Sequence, residues 1–473
     1  MSAASLLAGL VARTTFDDLP ADVVWEAKRR IADVIGAGLS GSATPVGQRI
    51  KQFVGSNGPV GRATVWQSGM RASASYAALA NATMTFHLEL DDVHRTSHTH
   101  PGVSTIPAAM ALCEELELSG RDLLLSIVLG YDVQVRVGLG VSPSIYVDRT
   151  YLAPGTLAVF GAVTAAAKLM NLDEASIAGA IGAASYLGPL APFESFRLGA
   201  PVKDTIFGWS SVAGIEAARL AQFGFVGPES SLEGPFGFCK TTATRYDVDR
   251  ILNGLGERFE ILYTGIKPYA CCRQHHTAID AVIELRDRHC LRADEVEKVQ
   301  HRTFVVGSRG SGQRPVSIPA AKYSAPYTIA VALTFGRAWR EQYTAALIQD
   351  PAILELASRV EVTADSGLEA LYDEKWPSIV TVTTKDGRVL EARRDLPKGE
   401  PEHPLSDEEL RHKFMSLAND AVSSEHAEAI WDAIFKIDRF ESVVPLTELI
   451  DQAFVSLPAR SQAQVDVVAI GPK

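Results

Sequence analysis

The chain has 473 residues, 47% of them hydrophobic and 21% charged, with a formal net charge of −11 at neutral pH. That length and apolar content suffice for roughly two to four domain-sized units with a large buried core, and the acidic balance excludes nucleic acid and anionic membrane as main partners, since both reward a basic face. Any anionic ligand must therefore meet a local cationic pocket.

The opening segment "MSAASLLAGLVARTTFDDLP" has no basic region ahead of its apolar stretch and turns acidic at Asp17 and Asp18, so it does not read as a signal peptide. No apolar run reaches the roughly 18 residues of a membrane span. The five cysteines, Cys113, Cys239, Cys271, Cys272 and Cys290, are odd in number and lack CxxC spacing, which implies a reducing compartment without a disulfide framework. Together these features read as a cytoplasmic protein.

In chain order, residues 21–41, 103–140 and 157–188 carry apolar residues three to four apart and are rich in alanine and leucine, a pattern that predicts packed helices. Pro20 opens the first, Asp173 caps a later one, and Gly120, Gly130 and Gly138 punctuate the second stretch. Small residues on several faces let helices approach closely, as in a bundle buried on more than one side. Near residue 267 the texture changes. Residues 296–307 and 358–365 alternate like strands, and "PSIVTVTTKDGRVLEARRDL" (377–396) is a hairpin signal, Asp386-Gly387 supplying the residues with φ > 0. Residues 324–338 read as a helix after Pro326, and helical periodicity returns from 404, with Ser406 as N-cap to Glu409.

Three stretches carry chemistry-bearing side chains. In "LELDDVHRTSHTHPG" (88–102), two carboxylates, three histidines and an arginine fall on a connection between helices. Helix capping and solvated histidines are one reading, and a metal site another, although the spacing matches no H-x-x-x-H pair. In "GIKPYACCRQHHTAIDAVIEL" (265–285), Lys267, Arg273, His275 and His276 precede a helix. Cys271 and Cys272 there are adjacent, so they point apart, and they read as buried structural thiols rather than zinc ligands. In the third, Lys203 opens a small-residue helix. The glycine-rich "GSRGSGQRP" (307–315) lacks the GK[ST] of a phosphate loop and reads as a mobile lid loop.

The order and wording of these pieces resemble the MmgE/PrpD family, which includes 2-methylcitrate dehydratases, cis-aconitate decarboxylases and iminodisuccinate epimerases. The resemblance is carried by "LPADVVWEAKRRIADVIGAGLSG", "LELDDVH" with "HPGVSTIPAAMAL", "SGRDLLLSIVLGYDVQVRVG", "VKDTIFGWSSVAGIEAARLAQFGFVGP", "KPYACCRQHHTAIDAVIEL", "KYSAPYTIAVAL" and "LPKGEPEHPLSDEELRHKF", and spans nearly the whole chain. It implies a mainly α, helical-bundle domain (1–266 plus 404–473) interrupted by a smaller α+β lid domain (267–403), and a homodimer. It also implies work without metal, nucleotide or iron-sulfur cofactor on small di- and tricarboxylates held between the domains. By motif match it places the family's acidic pair on Asp91 and Asp92, its "HP" histidine on His100, its helix-opening lysine on Lys203 and its lid-boundary lysine on Lys267. Thr96, Arg273 and His275 stand as substrate-binding residues.

Chemistry of this class develops a carbanion-like carbon beside a carboxylate, and cations aimed at that carboxylate lower the barrier. Lys203 and Lys267, opposite the acidic wall, would supply them, and His100, oriented by the Asp91/Asp92 pair, would shuttle a proton near neutral pH. Whether Asp92 or His100 is the base stays open at this level. One departure stands out: where the family commonly carries histidine and threonine in "G-[FWY]-H-x-T", this chain has Leu152 and, near the threonine's place, Pro154. The expectation is a lyase for a smaller or less charged acid than methylcitrate or cis-aconitate. An isomerase using the same proton transfer and a catalytically silent binding protein are the alternatives.

Overall fold

The structure, a computed structural model, describes residues 1–309 and 314–452. Residues 310–313 of the glycine-rich segment and the tail beyond 452, assigned above to a lid loop and to the helical part, lie outside the described residues. Most of the described chain is helical, with one four-stranded sheet and a separate two-stranded ribbon.

The helices begin where the sequence supplies caps. Asp173 accepts from the Ser176 amide at 2.8 Å at the start of Glu174–Leu187, and Ser119 forms a capping box with Asp122 ahead of Gly120–Val141. The Ser406/Glu409 box likewise opens Asp407–Ala418. Gly130 and Gly138 do not punctuate; both lie inside the unbroken helix Gly120–Val141. A Cβ on Gly130 would fall 2.5 Å from the Thr105 methyl and 2.8 Å from the Gly161 carbonyl, so glycine there permits close helix approach rather than a break. This helix also corrects the reading that no segment is apolar and long enough to cross a membrane. It passes on length and composition, but its apolar window is wholly buried inside the protein.

Helices Ala74–His87, Pro101–Glu115, Gly120–Val141, Ala153–Leu169 and Ile206–Gln222 pack on one another. The sheet comprises β3 (Val296–Thr303), β4 (Val360–Ala364), β5 (Ser378–Thr384) and β6 (Val389–Arg394) in the order β4-β3-β5-β6, with β3/β4 parallel and the other pairs antiparallel; β1 (Ala63–Val65) and β2 (Met70–Ala72) form a separate ribbon. The β5–β6 hairpin forms as expected, but Gly387 alone takes positive φ in its loop, so Asp386 stays in ordinary backbone space.

Apolar packing falls into two large clusters. One runs from Ala3 to Ile261 and takes in residues from Phe414 to Ile450; the other runs from Ala270 to Ala392. They interlock: Phe304, Val306 and Trp376 sit in the first, and Leu88, Leu90 and Leu417 in the second. The segment 88–102 therefore lies at the seam.

Candidate active site

Helix Ala74–His87 ends just before this segment, and Glu89 turns the chain with φ +56°. Four lysines from distant parts of the sequence hold the turn. Lys322 donates to the carbonyls of His87 (3.1 Å) and Leu88 (2.9 Å), Lys203 to Glu89 (3.1 Å), Lys413 to the Leu90 carbonyl (2.6 Å), and Lys267 to Asp91 (3.2 Å). A buried ammonium on the last carbonyls of a helix satisfies groups the helix itself cannot. Among the described residues Lys322 has no carboxylate within ion-pairing distance, and burial brings it down to about 8. Beyond the turn, Val93 and Gly265 exchange backbone bonds, and His94 and Thr99 close a small loop that places His98 at φ +53°.

The two adjacent carboxylates have different partners. Asp91 is wholly buried, receives Lys267 Nζ on one oxygen and His100 Nδ1 on the other. Burial works against its charge, yet Lys267 and His100 outweigh burial and hold the carboxyl well below the usual range. Asp92 points away. It accepts from the Gly102 amide at 2.9 Å, at the start of helix Pro101–Glu115, and from the Tyr131 hydroxyl at 2.5 Å. A side chain on Gly102 would collide with both groups, its Cβ falling 2.5 Å from Tyr131 Oη and 2.7 Å from Asp92 Oδ1. Burial, only partly offset by Arg30 and Tyr131, pushes Asp92 up to about 7.

A cavity of about 70 Å³ opens beside His100, several times the roughly 10–15 Å³ that one water needs. Its walls are mostly apolar or aromatic, Phe86, Phe193, Phe196 and Phe207 among them, with Glu89, His98, His100, Lys267 and Arg273 supplying carboxylate, imidazole, ammonium and guanidinium groups. His100 meets Asp91 through Nδ1, so Nε2 is the nitrogen left for an occupant. A carboxylate can only accept, which places the ring proton on Nδ1 and the lone pair on Nε2. Burial lowers His100, Asp91 opposes that and Lys267 adds to it; the net direction is down, leaving a neutral imidazole at pH 7.

Of the residues singled out in sequence, His100, Lys267 and Arg273 line this cavity. Asp91 stands directly behind His100 and Lys267. Asp92 does not reach the cavity and serves as the cap just described. Lys203 is also one layer back: it pairs with Glu89 and Asp204 (2.8 Å), and its ammonium lies over the Phe86 and Phe196 rings. Burial opposes its charge, but those two carboxylates raise it above its ordinary value. The lysines are thus not opposite the acidic residues but paired with them. Arg273 is engaged by Glu400 at 2.7 Å and by the Lys398 carbonyl at 3.0 Å. His275 is buried behind the wall, donating to the Tyr323 carbonyl at 3.0 Å, and burial takes it down to about 4. Thr96 lines a different cavity with Arg95, Arg258, Tyr263 and Glu402.

Cys271 is buried as expected, whereas Cys272 lines the cavity; burial pushes both thiols up to about 12, so neither is a thiolate. Leu152 and Pro154 both line the cavity, so the positions of the sequence departure border the candidate site itself. Sequence reasoning missed Glu89, His98, Tyr146, Gln274, Tyr323 and Trp376 as lining residues. Glu89 and His98 sat within the quoted stretch, but only their partners show their orientation. Among the described residues no group of three or more His, Cys, Asp or Glu is arranged to hold a metal ion.

Residues 5–251 match the MmgE/PrpD N-terminal domain and residues 269–438 the MmgE/PrpD C-terminal domain. The chain is 25% identical over 459 residues to a cis-aconitate decarboxylase of Aspergillus terreus (strain NIH 2624 / FGSC A1156), covering 92% of this chain and 93% of that protein. It is 25% identical to the cis-aconitate decarboxylase of Mus musculus (94% and 92% covered) and 27% identical to that of Homo sapiens (90% of each).

Proposed function

Because the chain belongs to the MmgE/PrpD family, we propose that it is a cofactor-free cytoplasmic lyase that removes water or carbon dioxide from a small di- or tricarboxylate by proton transfer next to a carboxylate. The observation that carries this reading is the buried Asp91, which engages His100 with one oxygen and Lys267 with the other at the edge of an apolar cavity. His100 Nε2 has the lone pair and the neutral state that a base needs, and proton transfer by such a group contributes about 10²–10⁴ in rate. Lys267 and Arg273 on the cavity wall supply positive charge where a carboxylate would develop enediolate character, and the apolar walls keep water from screening it. His100 rather than Asp92 is the base in this reading, since Asp92 is committed to Tyr131 and the helix amide.

The α+β segment 267–403 acts as the lid over the helical domain 1–266 plus 404–473. In support, the cavity draws its lining from both stretches of sequence, Phe86, His100 and Phe207 from the first and Lys267, Tyr323 and Trp376 from the second. The working unit is a homodimer. Tyr186 on helix Glu174–Leu187 and Phe225 and Val226 after helix Ile206–Gln222 are exposed, and Val226 packs against Gly179 of the former helix, so they share one apolar face. A second copy of this face would cover it. Light scattering of the wild type against Tyr186→Lys and Phe225→Lys tests this, a dimer falling to a monomer being expected.

Proton NMR of the protein with C4–C7 di- and tricarboxylates in D₂O, with and without a chelator, tests the reaction. Conversion that is insensitive to chelator and lost in His100→Gln supports the lyase. Conversion between isomers with no loss of water or carbon dioxide sinks it in favour of an isomerase, and inertness toward every acid sinks the enzymatic reading.

A further inference from the structure

His98 lines the same cavity as His100 and is built as its mirror. Its Nε2 lies 3.0 Å from Asp373 Oδ1 and 3.0 Å from the Tyr372 hydroxyl. The ring is fixed among Tyr146, Tyr372 and Trp376, with centroids 5.9, 5.9 and 5.6 Å away. An ionised Asp373 can only accept, so the proton sits on Nε2 and Nδ1 is left for the cavity. At His100 the carboxylate holds Nδ1 and Nε2 is left. One cavity therefore meets two imidazoles, each anchored through the nitrogen that the other leaves open.

Their counter-ions differ as well. Asp91 is shared between His100 and Lys267, whereas among the described residues Asp373 lies within ion-pairing distance of no lysine or arginine, Arg95 acting on it only from further off. Asp373 is thus placed to balance a second proton on His98 when the ring takes one up, while the pair beside Lys267 suits a neutral ring. Trp376, on the same wall as His98, has a buried indole N–H that meets no acceptor among the described residues. A buried donor without a partner is costly unless an occupant supplies one.

We propose that His98 is a second proton-transferring residue, the acid to His100's base, and that the pair equips the site to eliminate water from a β-hydroxycarboxylate. This rests on the lyase reading and chooses within it. His100 Nε2 takes the proton from the carbon next to a carboxylate, and its electron pair forms the double bond to the neighbouring carbon. The carbon–oxygen bond breaks, and the departing hydroxyl takes the Nδ1 proton from a His98 ring protonated on both nitrogens and leaves as water, with Trp376 N–H donating to that oxygen and the neutral ring keeping its Nε2 proton toward Asp373. Both rings then return to their starting states through solvent. Loss of carbon dioxide with protonation of one carbon would use a single acid and leave the second ring idle.

Two measurements test it. Long-range ¹H–¹⁵N correlation on protein with ¹⁵N-histidine, assigned with His98→Gln and His100→Gln, should show His98 protonated on Nε2 and His100 on Nδ1, both shifting when tricarballylate is added. A neutral Nδ1–H ring at His98, or a His98 signal indifferent to tricarballylate, overturns the proposal whether or not the enzyme turns over. In D₂O with malate, citrate, 2-methylcitrate and cis-aconitate as probes, the wild type should dehydrate a hydroxy acid faster than it decarboxylates cis-aconitate. Glutamine keeps a donor toward Asp373 but has no Nδ1. His98→Gln should therefore lose at least about a hundredfold in kcat with KM within about threefold, while still exchanging the substrate's C–H proton for deuterium. Exchange should vanish in His100→Gln. Dehydration at the wild-type rate in His98→Gln overturns the role of His98 and leaves the lyase standing, and failure of the wild type on every probe defeats the lyase, the tautomer then deciding His98 by itself.

Discussion

Lys267 Nζ lies 3.2 Å from the oxygen of Asp91 that His100 does not use, so a single buried carboxylate holds an ammonium on one oxygen and an imidazole N–H on the other. Removing one member of a buried ion pair strands the other, at a cost of about 3–5 kcal/mol. Lys267→Met and Asp91→Asn should each destabilise the fold on that scale, and the double variant should be less unstable than the sum, with a coupling of about 1–3 kcal/mol. Urea unfolding of the four proteins checks this; strict additivity would mean the contact is not energetically real.

The lowered titration of His100 sets the acid limb of activity. A base works only when unprotonated, so kcat/KM should fall as pH drops through the His100 value, which lies below its ordinary 6.5. Lys267 contributes to that lowering after burial and against Asp91. In Lys267→Met the acid limb should accordingly move to higher pH, and a limb that stays in place would take His100 out of the role of base.

Asp92 gives the opposite linkage. Its folded-state value of about 7 is above the ordinary 3.8, so between those limits the folded protein holds more protons than the unfolded chain. Stability then decreases as pH rises, by up to about 1.4 kcal/mol per unit for this group. Asparagine can still accept from the Gly102 amide but does not titrate. The melting temperature of Asp92→Asn relative to the wild type should therefore climb between pH 5 and 7.5, and a flat difference would show that Asp92 is not held protonated.

Leu152 bears on substrate choice. It borders the cavity with Pro154, in a wall that offers a substrate carboxylate no donor at that point. Leu152→His should raise kcat/KM for tricarboxylates over dicarboxylates about 10–100-fold, the worth of one hydrogen bond to a charged group. An unchanged ratio would place substrate selection elsewhere in the cavity.

What the sequence discloses follows from how local each cause is. Ser119 with Asp122, Asp173 and Ser406 with Glu409 cap their own helices within three residues, so those starts are readable. The hairpin at 377–396 is equally local, although its turn needs only Gly387 in the left-handed region. The fate of Gly130 depends on Thr105 and Gly161, so inside a helix the same residue type permits contact instead of a break. The segment 88–102 is legible as a candidate site because its chemistry-bearing groups are contiguous. That Asp91 and Asp92 face different partners depends on Tyr131 and Lys267, and the pairing of His98 depends on Asp373; nothing near residue 92 or 98 announces either. Thr96, next to Arg95, was matched by position alone, and the loop closed by His94 and Thr99 carries it to another face.

The four lysines that hold residues 87–91 stand at 203, 267, 322 and 413. During synthesis the pentapeptide emerges long before the last of them, and at about 5–20 residues per second the interval is tens of seconds. Throughout that interval the Leu90 carbonyl and Asp33 are without Lys413, the ammonium that bridges them in the folded protein. A growing chain that has not yet exposed residue 413 therefore carries the turn at 87–91 without its last clamp, and the setting of Asp91 between His100 and Lys267 waits on sequence made long after it.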